Sequence, residues 1–193
     1  MRHEHGNPMH SALREATQAA HAALDRHPLM QMLLSPTVDR RQYATALASL
    51  AAPQAGFEAQ LADYVASHQL TEMCPPRHPL LEADLRSLET KPFPADPIPP
   101  AENDTQRLGM LYVLEGAHLG GAVIAKHLMR HLPDAPVRYF QAGGNPMPRW
   151  QAFWQHATPH LHAGNLPEVI AGALTTFRFY AAHLTACMRY CER

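Results

Sequence analysis

At 193 residues, 46% of them hydrophobic, the chain is long enough for one domain with a sizeable buried core. Its formal net charge of −1 argues against nucleic-acid binding and against a strongly membrane-attached role. No apolar run approaches the ~18–20 residues of a membrane span. The polar stretch from Met1 to His10 lacks the apolar core of a secretory signal, so a cytoplasmic protein is expected.

Residues 1–10 read as a mobile lead-in. Ser11 is a plausible cap for a first helix running to about Arg26, before His27-Pro28. Leu13, Ala16, Thr17, Ala20, His21 and Leu24 follow the spacing of a buried stripe, which places His21 on the apolar face. A lone His there is ordinarily a satisfied core residue. Arg14 lies seven residues before His21 on nearly the same face. A short helix follows from Met30 to Leu34, and another from Asp39 to about Ala52. Pro53 is expected to interrupt or kink the chain before a helix from Gln54 to about Ser67. Cys74 to Pro79 is a Pro-rich connection, and Leu80 to Leu88 a short helix. Thr90 to Ala101 holds five prolines and reads as an extended surface loop. After the helix discussed next, Pro133 to Pro148 reads as a loop with a turn at Gly143-Gly144-Asn145-Pro146. Helices over Pro148 to Ala157 and Leu166 to Arg193 complete an all-α chain with no convincing strand.

The stretch Arg107 to Leu132 reads as one helix with Gly109, Gly116, Gly120 and Gly121 inside it. Each interior Gly costs roughly 1 kcal/mol against Ala, so four cost about 3–4 kcal/mol. Gly116 and Gly120 are four apart and stack on one face, leaving a strip of bare backbone. Such a strip serves either a tight helix–helix crossing or the close approach of something flat. At about 100° per residue, Gly116, Gly120 and His127 fall within about 40° of one another, while His118 points about 200° away.

Tyr112-Val113-Leu114-Glu115-Gly116-Ala117-His118-Leu119-Gly120-Gly121 resembles the YVLEGS-x-LG pattern of bacterial haem oxygenases, carried on the helix over the distal face of haem. Leu13-Arg14-Glu15-Ala16-Thr17, His21 and His27-Pro28-Leu29 resemble the family's early helix, which supplies the proximal haem ligand. The resemblance covers most of the chain. It implies a single-domain helical bundle, residues 1–193, enclosing a haem slot. It further implies His21 as the iron ligand and Gly116 and Gly120 as the catalytic distal wall. Arg14 sits where the family has a basic residue that meets a haem propionate. Tyr112 reads equally as a second haem contact or a core aromatic, and so does Phe177. Arg149 and Arg178 are further propionate candidates between which the sequence does not choose. Where mammalian members have an Asp after the first helix glycine, this chain has Ala117, as in the bacterial branch.

The resemblance implies oxidative cleavage of haem to biliverdin, iron and carbon monoxide. Haem is then both substrate and cofactor, and O2 and an external electron donor, a reductase or ferredoxin-like protein, are partners. A neutral His donates less electron density to iron than a thiolate does, which favours attack on the ring itself. A haem carrier or sensor on the same fold is the alternative. A third class, the thiaminase-like helical enzymes, needs a nucleophilic Cys, and Cys74, Cys187 and Cys191 are poorly placed for that role. With an odd count and no CxxC, reduced and inert thiols are expected, although Cys187 and Cys191 are spaced to meet on a helix. The 14 histidines are scattered, without HExxH or paired Glu-x-x-His units.

Overall fold

The computed structural model describes residues 7–191. Of the lead-in expected over residues 1–10, residues 7–10 are instead the cap and first turn of a helix, and residues 1–6 lie outside the described residues, as do the last two residues and any pairing of the Cys191 side chain. Asn7 caps the first helix by accepting the Met9 N–H at 2.9 Å, and Pro8 occupies the first helical position, where its missing N–H costs nothing. The first helix, α1, therefore spans Pro8–Asp25 and begins three residues before Ser11. It is followed by α2 (Pro28–Met32), α3 (Arg40–Ser67), α4 (His78–Ser87) and α5 (Asp104–His131). Next come α6 (Arg138–Gln141), α7 (Pro146–Ala157), a 3-10 turn at Thr158–His160, and α8 (Leu166–Cys191). There is no strand among the described residues.

Pro53 neither ends nor splits α3, contrary to the sequence expectation. A proline leaves the carbonyl four residues earlier without its helical donor. Here that carbonyl is Ser49's, and the His183 ring of α8 hydrogen-bonds it. The neighbouring Ala48 carbonyl accepts from the Phe93 N–H of the Pro-rich loop at 3.3 Å. Tertiary partners thus replace the lost helical bond. Four residues carry no period, so α6 has no signal of its own in the sequence, which reads there as loop. Buried Asp84 of α4 holds it, accepting the Tyr139 N–H at 2.9 Å and Arg138 Nη1 at 3.0 Å.

The core is centred on α5, which packs most extensively on α8. A Cβ on Gly109 would lie 1.9 Å from the Val169 carbonyl oxygen, and one on Gly172 would lie 2.1 Å from that of Gln106. Those two glycines make the backbone-to-backbone crossing of α5 and α8. By length and composition α5 is apolar enough to cross a membrane, which the sequence reading did not anticipate. Its apolar content has another use here, since 61% of that window is buried inside the bundle. The helix α1 also lies against α8, so α8 supports both helices that carry the sequence motifs.

Candidate functional site

His21 is not buried. Leu13 and Thr17 are the buried residues of α1, Ala20 and Leu24 are half-buried, and Ala16 is exposed. The true stripe is narrower than the spacing suggested. His21, about 40° round from Thr17, falls at its edge with 61% of its side chain exposed. Its Nδ1 is 2.9 Å from Asp25 Oδ2 one turn on. A neutral imidazole donating Nδ1–H to that carboxylate keeps the Nε2 lone pair for a metal. The tautomer follows from the hydrogen-bond geometry. The ring meets buried Phe177 of α8 edge-on, with centroids 5.7 Å apart. Phe177 is therefore both a core residue and the neighbour of His21.

On α5 the four glycines separate by role. Gly109 belongs to the α8 crossing, and Gly121 lies against Phe140 at ordinary contact distance. At Gly116 an added Cβ would sit 3.6 Å from the Trp150 ring, and at Gly120 it would meet nothing within 4 Å. Gly120 is exposed. The Gly116–Gly120 strip thus takes no part in a helix crossing. It is bare backbone at an open surface, edged by Trp150, a residue that sequence reasoning had placed only within its helix.

Tyr112, one turn before Gly116, joins α5 to α1. Its hydroxyl lies by the Thr17 hydroxyl and feels the charge of Arg14. Burial raises its pKa, and those two neighbours partly offset the rise. Its ring packs among Trp150, Phe153 and Trp154, with centroids 5.7–6.1 Å away. The structure therefore brings His21 against Phe177, and sets the Tyr112 hydroxyl within the field of the Arg14 charge.

Under the glycine strip lies a buried polar layer that the sequence did not reveal. Arg149 grips Glu115 with both arms of its fork, at 2.5 and 2.8 Å, so Arg149 is committed inward. Arg77 donates to the Leu114 carbonyl at 2.8 Å. His118, which points away from the glycine strip, is buried, with the ring bonded to the Ala142 backbone and Nε2 unpartnered among the described residues. Cys74, also buried, adjoins a cavity of about 250 Å³ lined by Glu58, Arg77, Glu115 and Arg149. Burial, followed by the Glu115 charge, holds its thiol far above the usual range, the opposite of an activated nucleophile. Arg178 is exposed. His127 shares the glycine stripe, but its Nε2 is 2.9 Å from the Ser35 carbonyl.

These elements define a helical bundle in which one helix presents an oriented imidazole and another presents bare backbone. The chain belongs to the haem oxygenase family. The sequence model of that family, described as Heme oxygenase, matches residues 7–100. A heme oxygenase of Xanthomonas campestris pv. campestris is 34% identical over 164 residues, 83% of this chain and 96% of that protein. The fold is similar to the NO- and CO-bound heme oxygenase of Neisseria meningitidis, at 24% identity and a TM-score of 0.76 over 94% of this chain and 92% of that one. It is also similar to the heme oxygenase-1 of the cyanobacterium Synechocystis in complex with heme. That match has 15% identity and a TM-score of 0.71, over 96% of each chain.

Proposed function

We propose that this protein cleaves haem oxidatively to biliverdin, iron and carbon monoxide, with O2 and an external electron donor, in a single domain acting in the cytoplasm. The observation that carries this reading is the exposed His21 imidazole, fixed by Asp25 in the tautomer that leaves Nε2 free. Bound haem supplies an iron that activates O2 and a ring that is itself oxidised. His21 would hold the iron through Nε2. Gly120 opposes no side chain and supplies no second axial ligand, so the backbone strip with Gly116 can press close to the ring. A strip pressed close would limit water over the ring. Arg14 and Tyr112 form a cationic and hydroxylic pair suited to propionates, and Phe177 backs the His21 ring. The buried thiol of Cys74 suits a reducing compartment.

A non-catalytic carrier would gain from closing both axial positions, and nothing projects from Gly120 to do so. The test is one experiment with two arms. Haem-loaded wild type, given a reductant under air with catalase present, should lose its Soret band and yield biliverdin. His21→Ala should lose the native axial spectrum and the product, with the spectrum recovered by added imidazole. A stable six-coordinate complex in wild type without biliverdin would make the protein a carrier. Unchanged ligation in His21→Ala would remove His21 from the iron.

A further inference from the structure

The cavity of about 250 Å³ beside Cys74 lies between α3, the loop before α4 and α5. Small exposed residues surround its mouth, Ala62 and Ala66 of α3 and Thr71 of the loop. Its floor is buried, with Leu61, Leu111 and Leu114 as apolar walls and Arg77 and Glu115 as polar ones. The α5 members of that floor, Leu111, Leu114 and Glu115, lie about 100–160° round the axis from Gly116. The cavity is therefore on another face of α5 from the glycine strip. It shares no residue with the site assigned to haem.

Arg77 is the unmatched charge in this floor. Only 4% of it is exposed. Its Nη2 donates to the Leu114 carbonyl at 2.8 Å, and its guanidinium carbon stands 5.1 Å from the centre of the Tyr139 ring. Among the described residues it makes no ion pair, and no other hydrogen bond uses its fork. Buried arginines are ordinarily paired, because desolvating a lone charge is costly. The two carboxylates of the cavity are committed elsewhere. Glu58 accepts from Gln54 Nε2 at 2.6 Å and from the Arg77 and His78 backbone N–H groups at 2.7 and 3.0 Å. It also pairs with His78 Nδ1 at 2.7 Å. Glu115 accepts both arms of Arg149 and the Cys74 thiol. One cation with unused N–H groups remains, at the inner end of apolar walls.

We propose that this cavity binds a small monocarboxylate with an apolar body, its carboxylate on the Arg77 fork and its body along Leu61, Val65 and Leu111. A planar guanidinium meets a carboxylate through two parallel hydrogen bonds. A single negative charge balances the single free cation. A phosphate dianion would instead leave excess negative charge beside Glu58 and Glu115. The apolar walls favour an organic acid over an inorganic anion. A cavity of about 150 Å³ holds benzene, so this one has room for a ring bearing a carboxylate. The proposal does not depend on the haem reading.

The test is 19F NMR of 4-fluorobenzoate with the tag-free full chain, and 4-fluorobenzyl alcohol is the neutral probe of the same shape. The expected result is saturable binding of one 4-fluorobenzoate per chain, displaced by benzoate, with the alcohol bound about tenfold more weakly or worse. Ala66→Trp sets an indole across the mouth from an exposed position, so the chain folds and the binding should be lost. Arg77→Lys keeps the charge without the fork, and Arg77→Met removes both. Affinity should fall in that order, by about tenfold or more for Met. If Arg77→Met loses its fold by circular dichroism, the mouth variant and the alcohol decide. Arg14→Ala should leave the affinity unchanged, which separates the cavity from the α1–α5 site. Equal binding in wild type and Ala66→Trp, or loss of binding in Arg14→Ala, would overturn the site. Equal binding of the alcohol would overturn the carboxylate and the role of Arg77. Absence of saturable binding at millimolar 4-fluorobenzoate would overturn the whole proposal.

Discussion

His118 shows how far one residue can depart from its solution behaviour. Only 4% of its side chain is exposed. Burial, followed by the Arg77 and Arg149 charges, lowers its pKa to about 2. The Glu115 carboxylate at 3.9 Å is too distant for a hydrogen bond, and a neutral ring makes no ion pair with it. A His with a lowered folded pKa contributes stability in full above its unfolded value near 6.5. That stability is lost as pH falls from there toward the folded value. The loss approaches ~1.4 kcal/mol per pH unit for one proton, so ~2 kcal/mol between pH 6.5 and 5.0. Thermal melts over that range should fall by ~4–8 °C from this residue alone. His118→Asn keeps a donor for Ala142 and does not titrate, so its melting profile should be flatter by that amount. Parallel profiles would mean that His118 is not held neutral. At this scale the sequence showed which way His118 points but not its two arginine neighbours, which come from α7 and the loop before α4. His21 stands out by resemblance, whereas its partner Asp25, four residues on, comes only from the structure. The exposure of His21 was not legible either, because periodicity marks a stripe without marking its edges.

Among elements, α5 holds the clearest contrast. Four glycines in one helix look alike in sequence, yet their surroundings assign them opposite roles. Gly109→Ala would drive a methyl into the Val169 carbonyl, at 1.9 Å, and part α5 from α8. That change should destabilise the fold by ~3 kcal/mol or more, with no direct effect on a ligand at the strip. Gly120→Ala places a methyl in open space and should stabilise the helix by up to ~1 kcal/mol. Gly120→Leu should retain that stability and weaken haem or oxygen binding by at least tenfold. Urea melts read the first pair of effects, and haem titration reads the third. If Gly120→Leu bound haem normally, the strip would not face the ligand. The all-α order and most helix bounds were legible from hydrophobic spacing, and the glycine strip from its pairing. The continuity of α3 through Pro53 was not legible, since its substitute donors come from α8 and the Pro-rich loop. Nor was α6, whose stability rests on Asp84 in another helix.

On the scale of the whole molecule, α1 and α5 are separate arms supported by α8. The tip of α1 is pinned by His10, which stacks on Trp154 at 3.7 Å and meets the Thr158 hydroxyl at 2.9 Å. Its middle is pinned where Thr17 meets Tyr112. At the turn that carries His21, Phe177 and Asp25 neighbour the ring. A ligand held by His21 on α1 and by the backbone strip on α5 would bridge the two arms. Such a ligand binds the folded state and stabilises it by mass action. Free haem at 100 times its Kd adds ~2.7 kcal/mol, which for a chain of this length corresponds to a rise of ~5–11 °C in Tm. His21→Ala, compared at the same free haem concentration, should show a smaller rise, because its affinity is lower. Wild-type melts with and without haem check this directly. An equal rise in both proteins would mean that His21 contributes nothing to holding haem. No rise in either would mean that haem binds the unfolded chain as well as the bundle, and that the two arms do not form its site.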